Sequence, residues 1–118
     1  MSMGEIAYVS SDGELISSGG DALALIYEPG STDATWIAVP VSRLDAAFFD
    51  LSSGIAGEIV QKFVNYRSRL AVIGDISPQL EASSALSDFV RESNRGDRIW
   101  FVNDRAELEA RVNDASQA

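Results

Sequence analysis

The segment Trp36-Ile37-Ala38-Val39-Pro40 decides how the rest of the chain is read. Four apolar residues in a row, without polar alternation, form the pattern of a strand covered on both faces, and Pro40 ends it because proline cannot donate to a ladder. Two further runs of the same kind follow, Leu70-Ala71-Val72-Ile73 and Ile99-Trp100-Phe101-Val102. Trp36 and Trp100 fall inside these runs and read as core residues.

Helical patterns lie between the runs. Leu44 to Asp50 links the first run to a helix in which Ile55, Ile59, Phe63 and Tyr66 form an apolar stripe, with Val60 and Val64 beside them. Glu58, Gln61, Lys62 and Asn65 fall on the other side. A helix over Ser83–Ser93 turns Leu86, Phe89 and Val90 inward, and Gly96 beyond its end suits a left-handed cap. Asp104 and Glu107 form an acidic capping box for a last helix carrying Leu108 and Val112.

At the amino end, Ile6–Ser10 reads as a strand, Ser11-Asp12-Gly13-Glu14 as a turn, and Leu15-Ile16 as its return, so a hairpin opens the domain. Ser17 to Asp21 offers caps for a short helix over Ala22–Tyr27 that Pro29-Gly30 stops. The order is β-β-α-β-α-β-α-β-α: an α/β domain with a mostly parallel mixed sheet, one antiparallel opening pair and about four helices. Residues 1–112 form a single domain, and 113–118 are expected to fray.

Composition narrows the function. The 118 residues are 46% hydrophobic and 23% charged, which suits one globular domain, and contain neither cysteine nor histidine. That removes disulfides, thiolate nucleophiles, Cys/His zinc sites and imidazole acid–base chemistry, and no catalytic, metal or cofactor motif stands in their place. A net charge of -9 disfavours nucleic acid. No apolar stretch is long enough to cross a bilayer and the amino end lacks a basic region before an apolar run, so a cytoplasmic location is expected.

The block Phe48-Phe49-Asp50-Leu51…Gly54-Ile55-Ala56-Gly57-Glu58-Ile59…Gln61-Lys62-Phe63…Asn65-Tyr66, with Glu92-Ser93-Asn94-Arg95-Gly96 after it, resembles a small bacterial family known as domain of unknown function 4180. The resemblance covers nearly the whole chain and brings no activity with it. The element order and Asp50-Leu51-Ser52-Ser53-Gly54 are also similar to STAS domains, the anti-sigma-factor antagonist fold. That resemblance implies a phosphorylatable serine at a helix start, which falls on Ser52 with Ser53 after it. Leu51, inserted between Asp50 and the serines, departs from the STAS pattern.

Three sets of residues are candidates for function, each with a plain structural alternative. Ser52 and Ser53 are phosphoacceptor candidates at a helix start, or simple caps. Glu58, Gln61, Lys62, Asn65 and Arg67 make a mixed polar face suited to a protein partner or a second copy of the chain. The same face reads as solvated surface with an i,i+4 ion pair worth about 0.3–0.5 kcal/mol. Asp75, Ser77, Asn103 and Asp104 follow parallel strands, where open α/β sheets bind ligands, yet are also turn and cap residues. The expectation is a non-catalytic regulatory or protein-interaction domain; the alternative is a small-molecule- or metal-dependent enzyme at the carboxyl edge of the sheet.

Overall fold

The computed structural model describes residues 6–28 and 34–117. Four strands, β1 (Ile6–Tyr8), β2 (Trp36–Pro40), β3 (Arg69–Ile73) and β4 (Ile99–Val102), lie side by side in the order β1-β2-β3-β4, each adjacent pair parallel. Five α-helices accompany them: α1 (Gly19–Ile26), α2 (Ile55–Asn65), α3 (Ser77–Ala82), α4 (Ser84–Arg95) and α5 (Arg105–Gln117). Because the chain advances one strand at each crossover in the same direction, right-handed connections put the intervening helices on one side of the sheet. α5, the last helix among the described residues, folds back over the other side.

The continuous apolar runs are explained by this double cover. Ile37, Val39, Leu70, Val72, Ile99 and Phe101 pack against Leu25 of α1, Ile59 and Phe63 of α2 and Leu86 of α4. Their neighbours in sequence, Trp36, Ala38, Ala71, Trp100 and Val102, point the other way and meet Leu108 and Val112 of α5. Register across the centre sets Ala38 opposite Ala71 and Ala71 opposite Trp100. The two alanines leave room beside Trp100, and Trp36, two residues before Ala38, stacks on it with centroids 4.0 Å apart.

The opening hairpin is absent among the described residues. β1 pairs in parallel with β2, and Ile16 makes a single parallel bridge to Leu44. The reason is Arg43: its Nε donates to Glu14 O at 2.8 Å and its Nη1 to Ser10 O at 2.8 Å and Asp12 O at 3.1 Å, so the loop wraps a guanidinium instead of turning back. The sheet is consequently all parallel, not mixed.

Smaller differences have local causes. α1 begins at Gly19 because Ser18 Oγ accepts from Asp21 N at 3.1 Å. The Pro29-Gly30 stop lies outside the described residues. Val41–Arg43, Ala46–Phe49 and Leu51–Ser53 are 3-10 turns, and the second buries Phe48 and Phe49. α3 is a helix where Ser77-Pro78 reads as a turn, since proline is tolerated in a first helical turn. Gly96 is extended at φ -88°, not left-handed. α5 continues to Gln117, through most of the stretch expected to fray.

Candidate functional site

The polar edge of α2 is built at its amino end by the turn Asp50–Gly54. Asp50 Oδ1 accepts from Ser52 N at 3.1 Å and from Ser52 Oγ at 2.6 Å. Ser53 Oγ donates to Ala47 O at 2.7 Å and accepts from Ile55 N at 3.2 Å. Both serines are exposed but lie in a 3-10 turn ahead of α2, whose cap residue is Gly54. Their hydroxyls hold the entry to the helix.

Further along, Glu58 and Lys62 lie at the crossing of α1 and α2. The Glu58 carboxylate accepts from Gly19 N and so caps α1 from a neighbouring helix. A Cβ at Gly19 would stand 2.9 Å from Lys62 Cε and 3.0 Å from Glu58 Cγ, so those two flexible side chains would have to shift to admit one. Gln61 and Asn65 are exposed and bonded to each other, Gln61 Nε2 to Asn65 Oδ1, at 2.9 Å.

α2 ends in a Schellman motif: Ser68 N donates to Phe63 O at 2.9 Å and Arg67 N to Val64 O at 3.1 Å. Arg67 occupies the left-handed position at φ 58°. This termination takes Tyr66 out of the apolar stripe, correcting its expected inward position, and leaves it 45% exposed beside Tyr27 at 61% and Val64 at 37%. The two tyrosine rings meet edge to face with centroids 5.6 Å apart. The neighbouring Tyr66 hydroxyl pushes the Tyr27 phenol above its ordinary pKa. Tyr27, Val64 and Tyr66 are the residues the sequence reading misses. Their signal is positional: each lies in or just past the last turn of its helix, where the helical period no longer fixes the face.

At the carboxyl edge of the sheet, the carboxylates of Asp75 and Asp104 are engaged in local turn and cap bonds. Asp75 Oδ1 accepts from Ser77 N at 2.9 Å and Ser77 Oγ at 2.6 Å, and the hydroxyl, with the amide second, holds the Asp75 carboxyl below the usual carboxylate range. Asp104 Oδ1 accepts from Glu107 N at 2.8 Å and so caps α5 as expected, while Glu107 Oε1 reaches one residue further back, accepting from Asn103 N at 2.8 Å. Among the described residues no group of three or more acidic side chains is gathered as a metal ion would need. No helix among them is long and apolar enough to cross a membrane.

A family model described as "Domain of unknown function (DUF4180)" matches residues 2–112. No curated protein and no solved structure matches the chain.

Proposed function

The chain belongs to the DUF4180 family, and we propose that it acts as a non-catalytic regulatory domain that binds another protein through the carboxyl ends of α1 and α2. The observation that carries this reading is the exposed Tyr27–Tyr66 pair. Tyrosine supplies large contact area with few rotatable bonds and is enriched at interface centres. Val64 extends the apolar patch, and Gln61, Asn65 and Arg67 give it the polar rim such interfaces carry.

The competing enzyme reading is less well supported, because the carboxylates of Asp75 and Asp104 are already engaged in caps. A STAS-like relationship belongs with the interaction reading and rests on the element order and the serines before α2. The antiparallel opening pair expected with it is absent among the described residues. Phosphorylation of Ser52 would act as a switch by breaking its 2.6 Å bond to Asp50 and setting two anions together, which loosens the entry to α2.

Affinity capture from the native host, with the wild-type chain and with Tyr66→Ala combined with Asn65→Ala, tests the proposal. The double variant should lose the captured partner while its thermal midpoint stays nearly unchanged. Undiminished capture would overturn the reading. Sedimentation of the purified chain identifies whether the partner is a second copy.

A further inference from the structure

The second face of the sheet is only partly roofed. α5 lies against β3 and β4 and reaches β1 through its first turns, where the Arg105 guanidinium sits 3.7 Å above the Tyr8 ring and Glu109 Oε2 accepts from the Tyr8 hydroxyl at 2.7 Å. Beyond the start of α5, at the carboxyl ends of β1, β2 and β3, a cavity of about 400 Å³ remains. Its lining includes Ala38, Pro40 and Ile73 from the sheet, with Tyr8, Ser10 and Arg105 around them. Small-ligand sites have this volume and this division between an apolar bed and a few orienting polar groups.

Arg105 sets the ligand class. It is the only charged side chain in the lining, and among the described residues no carboxylate stands within ion-pair distance of it. Asp104, Glu107 and Glu109, the nearest acids in sequence, give oxygens to Glu107 N, Asn103 N and the Tyr8 hydroxyl. The guanidinium lies close to the Tyr8 ring and its hydroxyl, and with five N–H donors it still offers a fork that a carboxylate fits with two bonds. Ser10 Oγ accepts from Asp12 N at 3.0 Å, which leaves its O–H to donate. One arginine in a chain of net charge -9 suits a monoanion better than a phosphate dianion.

We propose that this cavity binds a small organic monocarboxylate whose apolar body, a branched aliphatic chain or one aromatic ring, rests on Ala38, Pro40 and Ile73 while its carboxylate pairs with Arg105. The site lies on the face opposite the Tyr27–Tyr66 patch, so neither reading depends on the other.

The test is an amide-resolved NMR titration of the full chain with 4-methylpentanoate and benzoate, set beside 4-methylpentanamide, benzamide and inorganic phosphate. Both acids should move the Ser10, Ser11 and Ile73 amides and bind at least tenfold more tightly than their amides, a difference of about 1.4 kcal/mol. Arg105→Gln should abolish that preference and Arg105→Lys should keep part of it. The proposal is overturned if neither acid moves those amides, if acid and amide bind alike, if phosphate binds as well as the acids, or if Arg105→Gln keeps the preference. Should Arg105→Gln fail to fold, the wild-type comparison of acid with amide decides alone.

Discussion

Arg67 holds a left-handed backbone at the end of α2, a conformation that costs a residue with a Cβ about 1–2 kcal/mol. Glycine escapes most of that cost but loses more freedom on folding, so Arg67→Gly should raise stability by about 0.5–1 kcal/mol in chemical denaturation. Gly74 shows the opposite case. It sits at φ +141° just after β3, and a Cβ there would lie 2.8 Å from Val41 Cγ2. Gly74→Ala should therefore cost about 1–3 kcal/mol by the same measurement, from backbone strain and collision together. Neither conformation is legible in the sequence: an arginine gives no sign that it terminates a helix, and the collision at Gly74 comes from a residue 33 positions earlier. The roles of Asp104 and Glu107, by contrast, are local enough to read directly.

The elements most legible beforehand are β2, β3 and β4, whose unbroken apolar runs have no explanation short of cover on both faces. The opening hairpin fails because a guanidinium contributed from 29 to 33 residues away replaces the turn, a tertiary contact that turn chemistry alone cannot reveal. A side-chain device also protects the open side of β4. Asn94 of α4 accepts from Phe101 N at 2.7 Å and donates to Phe101 O at 3.3 Å, taking the place of a fifth strand. Arg111 of α5 bonds to the Asn94 carbonyl and lies 4.1 Å from the Trp100 ring; burial pushes its pKa down. Asn94→Leu should cost about 2–3 kcal/mol, because it strands Phe101 backbone groups and removes the Asn94 Oδ1 that accepts from Arg111 Nη1 at 3.3 Å. The variant should also self-associate in sedimentation as the strand edge opens.

For the molecule as a whole, ionisation sets the conditions of stability. Asp21 is held below the usual carboxylate range chiefly by the Ser17 amide, and Asp75 by the Ser77 hydroxyl. Carboxyls with a lowered folded pKa contribute stability that is complete above the unfolded value, about 4, and is lost as pH falls through the folded one. The denaturation midpoint should fall steadily below about pH 4, and Asp21→Asn with Asp75→Asn should flatten that fall. Tyr8 acts at the other extreme. Burial first, and the Glu109 carboxylate second, raise its phenol, so its contribution is complete below about pH 10 and is lost as pH rises. Tyr8→Phe should flatten the alkaline loss in the same titration. Charge and composition were legible at this scale from the start, while the Tyr27–Tyr66 patch was not, because it exists only where two helix ends meet. The Trp36–Trp100 stack has an optical consequence. Two chromophores 4.0 Å apart couple their excited states and give a paired positive and negative circular dichroism band. Since α5 roofs that face, the amplitude of the couplet is a built-in gauge of whether the last helix is docked, readable without any label.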